Sequence, residues 1–228
     1  MKLTSKNYLI LLSMILPFAF SNVVLAQKER YVTPVDEAKN DASFYAFREK
    51  LVAAVKMRDA KYILSIVDRD IKNSFGGNDG IEEFKKRWKI NGSKSEFWDE
   101  FLPVITNGGK FIKEGTNKLF FAPYSFNSFP DDLDAFSYSV IFGNNVNLRS
   151  KADAVSPVVS SLSYNIVEIV EAVKEKENAE KVLWYEVKTL GGKRGFVKAE
   201  FVRSPIDYRA GFEKKNGKWK MTAFIAGD

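Results

Sequence analysis

The spacing of apolar residues predicts helices in the region that follows residue 40. Apolar positions recur there at steps of three and four residues, with charged residues between them: Phe44, Phe47, Leu51 and Val55. This is the period of one face of an amphipathic helix. A second short helix is indicated at residues 62–67. Helix-capping signals at Asp79 and Ser93, each three residues before a glutamate, predict two more.

The period changes to two beyond Gly109, which indicates strands. Residues 110–113 and 118–121 predict two short strands, and only strands and turns are expected from Phe136 onward. Strands this short and this closely spaced favour a small barrel. In the tail, apolar residues alternate on both sides of Asn216-Gly217. This pair tolerates positive φ at both central turn positions and therefore predicts a tight hairpin.

Together these patterns predict an α+β protein. We expect a helical N-terminal domain over residues 41–135 and a small β-barrel over residues 136–204. A C-terminal β-hairpin over residues 205–228 must cover its apolar face, so we expect it to pack on one of the two domains. Residues 27–40 carry charges and Pro34 without a sustained period, which indicates a linker.

The first 26 residues have the pattern of a secretory signal peptide. Lys2 and Lys6 precede an apolar run over residues 8–20, which is shorter than the roughly 20 residues of a membrane-spanning helix. Ala26 marks the expected cleavage site. We therefore predict a periplasmic or secreted protein with no membrane association after cleavage. A retained N-terminal membrane anchor is the alternative.

The chain contains neither cysteine nor histidine among its 228 residues. These absences exclude disulfides, thiol nucleophiles, the usual zinc ligands and catalytic triads built on histidine. No catalytic residue, metal ligand or cofactor is therefore assigned. The net charge of +6 is spread over 35 basic and 29 acidic side chains without a basic block. This distribution argues against nucleic acid as a partner.

Two groups of carboxylates are candidates for chemistry. The acidic run at residues 131–134 could bind calcium, but the other ligands of a calcium loop are missing, and a solvated turn is the preferred interpretation. Glu96, Asp99 and Glu100 could supply the paired carboxylates that glycoside cleavage needs. On a helix they also bracket an apolar stripe, and they are more simply explained as its solvated flank.

Three aromatic residues lie on a predicted loop that ends at Pro130: Tyr124, Phe126 and Phe129. In a loop beside the barrel they could form the edge of a ligand site, because amphipathic rings suit recognition. They could equally form a plug that seals the junction between the two domains. The plug is the preferred interpretation, and the groove is kept as a binding-site hypothesis.

Five short motifs follow one another in the second half of the chain. They are Val146-Asn147-Leu148-Arg149-Ser150, Pro157-Val158-Val159 with Leu162, Trp184-Tyr185-Glu186-Val187, residues 192–197, and Phe201-Val202. In this order, within residues 138–203, they resemble a bacterial SH3 (SH3b) domain. Asn165 stands where that family usually has a turn glycine, and Phe196 and Phe201 replace its usual tryptophan and tyrosine.

The resemblance implies that the barrel is SH3-like and that it binds a ligand without catalysing a reaction. In relatives, such domains hold proteins on peptidoglycan or on a peptide. The third motif adds Trp184 and Tyr185 to the candidate binding residues. The region before the barrel resembles the N-terminal half of exported bacterial SH3-domain proteins, which implies an architecture but no activity.

The preferred hypothesis is a non-enzymatic cell-envelope binding protein whose SH3b module recognises peptidoglycan or a peptide. Its partner would be a cell-wall glycan or peptide, or another envelope protein. A carboxylate-dependent envelope hydrolase is one alternative, with Glu96, Asp99 or Glu100 active in a cleft that faces the barrel. A protein-docking assembly factor, with the barrel as a rigid spacer, is the other.

Overall fold

The computed structural model of the protein describes residues 28–115 and 117–227. The predicted signal peptide and its cleavage site lie outside the described residues. The α-helices are α1 (Ala42–Lys56), α2 (Ala60–Ile66), α3 (Ile81–Trp88), α4 (Phe97–Thr106) and α5 (Tyr124–Ser128). Short 3-10 helices occur at Ala38–Asn40 and Ala199–Phe201. None of the helices within the described ranges has the length and apolar character needed to span a membrane.

The described residues contain twelve strands, which form two separate sheets. They are β1 (Val67–Lys72), β2 (Lys110–Glu114), β3 (Asn117–Ala122), β4 (Tyr138–Ile141), β5 (Val146–Arg149), β6 (Val158–Leu162), β7 (Ile166–Lys174), β8 (Val182–Thr189), β9 (Arg194–Lys198), β10 (Val202–Arg203), β11 (Arg209–Lys215) and β12 (Lys218–Ile225). The predicted α+β class is therefore confirmed.

Helix α1 shows how the sequence directs local structure. The side chain of Asp41 accepts hydrogen bonds from the backbone amides of Ser43 and Phe44, at 3.0 and 3.1 Å, and caps the helix. The apolar face then buries Phe44, Leu51 and Val55. Phe44 is fully buried, and its ring centroid lies 4.2 Å from that of Phe120 on β3. The helical period thus places this face against the first sheet.

The first sheet has five strands in the order β1-β12-β11-β3-β2. Strands β11 and β12 pair antiparallel around Asn216 and Gly217, which both have positive φ. This pair lies inside the sheet, because β11 also pairs antiparallel with β3 and β12 pairs parallel with β1. The C-terminal strands therefore complete a sheet that begins before residue 138. We call this sheet and its helices α1 to α4 the α/β unit.

The region predicted to be helical, residues 41–135, contributes three strands to the α/β unit. Two of these strands, β2 and β3, match the predicted strands at 110–113 and 118–121 closely. The third strand, β1, was not predicted, because its sequence shows no alternation of apolar and polar residues. Only Val67 and Ile71 are buried in it. Its position at the sheet edge leaves Arg69, Asp70 and Lys72 exposed to solvent, so a largely polar sequence suffices there.

The second sheet has seven strands in the order β10-β4-β7-β8-β9-β5-β6, and we call it the β unit. Strands from across this order share one buried cluster, which consists of Ile141, Val146, Leu148, Leu162, Val167, Val187 and Val197. Val202 on β10 packs against the same cluster. Because the two edge strands β10 and β6 contact a common core, the sheet must curve around it.

Residues 28–37, within the segment predicted to be a linker, join the two units. On one side this segment pairs with the β unit: the amide of Ile166 donates to the carbonyl of Arg30, and the amide of Val32 donates to the carbonyl of Tyr164, both at 2.9 Å. Val32 is buried with residues of the β unit. The segment is therefore an ordered strap, and we use that name for residues 28–37.

On its other side the strap contacts the α/β unit. The amide of Gly109 donates to the carbonyl of Val35, and the amide of Glu37 donates to the carbonyl of Gly109. Asp36 accepts two hydrogen bonds from the guanidinium of Arg48 at 2.6 and 2.7 Å. Burial is the largest single effect on Asp36 and raises its pKa. The hydrogen bonds from Arg48 and from the amide of Ala38, together with the charges of Arg48 and Lys39, outweigh it, and the pKa of Asp36 is lowered. A single extended strap has no helical or sheet period, which is why its sequence resembled a linker.

Candidate functional site

The candidate binding residues do not form one site. Tyr124 is only 4% exposed and lies in a buried cluster between the two units, with Val32, Val140 and Ile166 among its neighbours. Its ring stacks on Phe142 with centroids 5.1 Å apart and planes 1° apart. Burial raises the pKa of its hydroxyl, and so does the nearby hydroxyl of Tyr164. Tyr124 therefore packs as the plug interpretation requires, although it also lines a cavity of about 350 Å³.

Phe126 and Phe129 are less buried than Tyr124. Phe126 is on the short helix α5, where a loop had been predicted, and the guanidinium of Arg209 lies 4.6 Å from its ring centroid. Phe129 packs against the junction cluster. Both line a shallow groove of about 390 Å³ beside Phe136, whose side chain is 72% exposed. Phe126 and Phe129 therefore pack against neighbouring side chains and also remain partly exposed to solvent.

Trp184 and Tyr185 point to opposite faces of β8, because side chains alternate along a strand. Tyr185 is half-buried against the core of the β unit, on the same face as the fully buried Val187. Burial raises its pKa, with a further contribution from the charge of Asp207. Trp184 faces the other way and is paired across the strands with Lys198. Of these two candidates, Trp184 is the one that lines a groove at the surface.

Trp184 lines a concave groove of about 310 Å³ on the β unit, which we call the Trp184 groove. Its other lining residues come from the turn before β5, from β5, from the loop after it, and from the end of β9 onward. They are Asn144, Asn145, Val146, Asn147, Arg149, Ala154, Lys198, Glu200 and Phe201. The groove therefore combines aromatic faces, amide groups and charges of both signs.

The polar groups of the Trp184 groove are held by the surrounding backbone and by each other. The guanidinium of Arg149 donates to the carbonyl of Ser156 at 2.6 Å, which fixes its position at the groove. The ammonium of Lys198 lies 3.4 Å from the carboxylate of Glu200. Arg149 retains further donors for a ligand, because a guanidinium carries five N–H groups. The groove can thus accept a carboxylate or carbonyl next to an apolar ring.

The asparagines and Phe201 of the groove were not predicted as binding residues. Asn145 adopts φ of 56°, a left-handed conformation that asparagine tolerates better than most residues. The available signal was the pair of asparagines, Asn144 and Asn145, directly before the first SH3-like motif. By itself such a pair indicates only a turn, because nothing local to it indicates that Trp184 lies across from it.

The carboxylates considered for hydrolysis differ in their surroundings. Asp99 lies 3.5 Å from the guanidinium of Arg58 on the exposed surface. Partial burial raises the pKa of Glu100, and the charge of Asp207 adds to the shift, while Arg203 opposes it. Glu96 lines a separate cavity beside Arg87. The hydrolase hypothesis stays a prediction.

The acidic run at residues 131–134 makes contacts within the protein. Asp132 accepts two hydrogen bonds from the guanidinium of Arg30 on the strap, both at 2.7 Å. Asp134 accepts hydrogen bonds from the hydroxyl of Ser137 and the amide of Phe136. Across residues 28–115 and 117–227, no group of three or more acidic side chains is arranged to hold a metal ion. The run therefore contributes to the attachment of the strap.

Comparison with known protein families places these observations in context. The family described as the bacterial SH3 domain matches residues 144–203. The match begins just before β5 and ends with β10, so it contains every residue that lines the Trp184 groove. No curated protein sequence matches the chain. The protein is therefore a bacterial SH3 domain-containing protein, with the domain at residues 144–203.

Proposed function

We propose that this is a non-enzymatic cell-envelope binding protein whose SH3 domain recognises peptidoglycan or a peptide in the Trp184 groove. The observation that carries the proposal is the position of the groove, because all of its lining residues lie within the matched SH3 domain. Bacterial SH3 domains commonly act as cell-wall binding modules. The SH3-like barrel predicted from the sequence would serve as the rigid support for this groove.

The chemistry of the groove suits such a ligand. Trp184 and Phe201 offer flat apolar faces for peptide side chains or for the apolar face of a sugar ring. Asn145 and Asn147 can both donate and accept hydrogen bonds, as backbone amides and acetamido groups require. Arg149 and Lys198 supply charge for a peptide carboxylate. A few polar groups around an apolar centre are typical of specific small-ligand sites.

The proposed location of the protein is the periplasm or the exterior of the cell. It rests on the pattern of the first 26 residues, with a positive start, a short apolar run and a small residue at the expected cleavage site. A protein at that location meets wall polymers and envelope peptides directly. The absence of cysteine from the chain means that its folding there does not depend on disulfide formation.

Retention of the mature protein, residues 27–228, on purified peptidoglycan tests this proposal. The wild-type protein is expected to co-sediment at physiological salt, and Trp184→Ala is expected to lower its affinity by about tenfold or more, as truncation of an aromatic hot spot does. Phe136→Ala is the matched control, since this residue is exposed but lies outside the groove. Equal retention of Trp184→Ala and wild type would contradict the proposed site. No retention beyond that of an unrelated protein would contradict the wall ligand.

A further inference from the structure

A cavity of about 490 Å³ lies at the C-terminal end of α3, and none of its lining residues belongs to the SH3 domain. Four charged residues line it: Arg87, Lys89, Lys94 and Glu96. Trp88 and Tyr208 form part of its wall. We call it the Arg87 cavity. Three cations against one carboxylate leave it with an excess of two positive charges.

The positive charge in this cavity is largely uncompensated. Within residues 28–115 and 117–227, the ammonium groups of Lys89 and Lys94 have no hydrogen-bond or ion-pair partner. The neighbouring lysines of the same helix behave differently: Lys85 lies 2.7 Å from Glu82, and Lys86 lies 3.5 Å from Glu83. The two lysines within α3 are thus paired, whereas the two lysines that line the cavity, both beyond the last residue of α3, are unpaired.

Arg87 is held in place by aromatic groups. Its guanidinium carbon lies 5.6 Å from the ring centroid of Trp88 and 5.7 Å from that of Tyr208. It also donates a hydrogen bond of 2.6 Å to the hydroxyl of Tyr208 and a longer one, of 3.5 Å, to the carbonyl of Asn73. These contacts reduce the side-chain freedom that a ligand would have to remove, and they leave other N–H groups available. Arg87 is therefore preorganised.

Lys89 adopts a backbone conformation that is unusual for its residue type. It caps the C-terminus of α3 with φ and ψ both at 44°, the left-handed region where glycine or asparagine is preferred. A helix C-terminus favours a cation nearby, which accounts for a positive charge at Lys89. It does not account for Lys94, which lies in the loop before α4. Nor does it explain why both lysines are unpaired.

One further polar group lies at the wall of the cavity. The indole N–H of Trp88 is buried without a hydrogen-bond partner within the described ranges of the chain. A buried unpaired donor costs free energy and is rare in folded proteins. Trp88 lines the same cavity as Arg87, so the unpaired donor belongs to the same set of residues. It also provides a spectroscopic reporter inside the site.

From these observations we propose that the Arg87 cavity binds a phosphate monoester group. Such a group carries about −1.5 to −2 charges at neutral pH, which matches the charge excess of the cavity. A guanidinium binds two phosphate oxygens at once, and the two lysines add point charges around them. This site is separate from the Trp184 groove and does not depend on the function proposed for that groove.

Nuclear magnetic resonance of the tryptophan indole N–H groups tests the proposal on the mature protein. The chain has four tryptophans, so Trp88 can be followed beside Trp98, Trp184 and Trp219 as internal references. Titration with inorganic phosphate is expected to shift the Trp88 signal in a saturable way. The Trp184 signal is expected to stay constant, whereas a ligand of the Trp184 groove would shift Trp184 instead.

Variants assign the effect to the cavity. Arg87→Gln and Lys94→Gln are each expected to weaken phosphate binding by about tenfold, as the loss of one charge-assisted hydrogen bond does. Lys86→Gln removes a paired lysine of the same helix and is expected to have no effect. Because Arg87 also contacts Tyr208, Lys94→Gln in the loop serves as the variant least able to disturb the fold.

Two comparisons identify the source of the phosphate group. Binding of glycerol 3-phosphate without sedimentation on phosphatidic acid vesicles would assign a soluble ligand, and sedimentation on those vesicles would assign a lipid headgroup. Succinate is expected to bind more weakly than phosphate, because its two carboxylates are spread apart. The proposal is overturned if phosphate causes no saturable shift of the Trp88 signal at concentrations up to about 50 mM. A dissociation constant above that concentration would be far weaker than ordinary ligand affinities. The proposal is also overturned if Lys86→Gln weakens binding as much as Lys94→Gln.

Discussion

The α/β unit and the β unit are built from different kinds of core. Among residues 28–115 and 117–227, the largest fully buried side chains include seven phenylalanines, and these seven lie in the α/β unit: Phe44, Phe84, Phe97, Phe101, Phe120, Phe212 and Phe224. The core of the β unit consists of valine, leucine and isoleucine. Large rings fill the space between helices and a sheet, whereas a small curved sheet has room only for aliphatic side chains.

The two units also differ in how the chain builds them. Every strand of the β unit comes from one continuous segment, residues 138–203. The sheet of the α/β unit combines strands from residues 67–122 with strands from residues 209–225. The β unit is thus inserted into the α/β unit, and the strap adds a third connection between them. When a domain is built from one continuous segment, the sequence motifs of its family follow one another along the chain in the usual order. This order is why the SH3 domain could be recognised from the sequence.

Phe44→Ala is expected to have the largest effect on this arrangement. Removing a fully buried ring that contacts rings on β3 and β12 is expected to lower the free energy of unfolding by about 3–5 kcal/mol. Val187→Ala in the smaller core should cost about 2 kcal/mol. Urea unfolding followed by tryptophan fluorescence measures both. Phe136→Ala is the control and should stay within about 0.5 kcal/mol of wild type.

The same experiment tests whether the two units unfold together. Because the chain crosses between them twice and the strap bonds to both, we expect one transition in which the Trp184 environment changes together with that of the α/β unit. A Phe44→Ala protein that loses the α/β unit while the SH3 domain stays folded at higher urea would show that the units are independent.

Arg48→Ala is expected to have an intermediate effect, through the strap. It leaves the half-buried carboxylate of Asp36 without its two hydrogen bonds, which should cost about 1–2 kcal/mol, reduced by the 39% exposure of the Asp36 side chain. Arg69→Ala is the control, because its pair with Asp70 is almost fully exposed. Unfolding at neutral pH measures both.

The pH dependence of the Arg48→Ala effect follows from the lowered pKa of Asp36. A carboxyl whose pKa is lower in the folded state stabilises the protein above its unfolded pKa, about 3.9, and this stabilisation is lost as the pH falls through the folded value. The difference between wild type and Arg48→Ala should therefore be full at pH 7 and shrink below about pH 4. A difference that stays constant down to pH 2 would contradict the ion pair.

Lys89→Gly is expected to have the smallest effect on stability, and the opposite sign. Glycine adopts the left-handed conformation of this C-cap without the steric cost of a Cβ, so the free energy of unfolding should rise by about 1 kcal/mol. Lys86→Gly, inside α3, should lower it by a similar amount. Thermal unfolding of the two variants gives the comparison. A destabilised Lys89→Gly protein would mean that the lysine side chain supports the fold.

The sequence predicted the individual helices and strands better than it predicted how they are arranged in space. Helix α1 is predicted by apolar residues that recur with a period of 3.6, and the strands of the SH3 domain by apolar residues that recur with a period of 2. Both patterns involve only residues that are close together in the sequence. The pair β11 and β12 follows from Asn216-Gly217, yet its place inside the five-stranded sheet rests on pairing with strands about 90 and 150 residues earlier in the chain. Such pairing leaves no local pattern. The short helix α5 was missed because it has only five residues.

The candidate site shows the same division. Trp184 could be predicted as a candidate binding residue because it lies in one of the SH3-like motifs, and that motif is part of a single strand, β8. Tyr124, Phe126 and Phe129 were grouped because they are close in sequence, but they differ in burial. Tyr124 is buried in the junction, whereas Phe126 and Phe129 are half-buried and line a groove at the surface. The cations of the Arg87 cavity were not named at all. They become a group only when Tyr208, from the segment just before β11, is placed against α3.

By itself, the sequence determined the α+β class and the identity of the SH3 domain, and it indicated an exported protein without histidine or cysteine chemistry. These conclusions rest on composition and on interactions between residues near one another in the chain. Only the tertiary structure decided that the SH3 domain is inserted into the α/β unit, that the strap joins the units, and which aromatic side chains remain accessible. Those outcomes depend on contacts between distant segments, and their free energy comes from burial that no single segment can achieve alone.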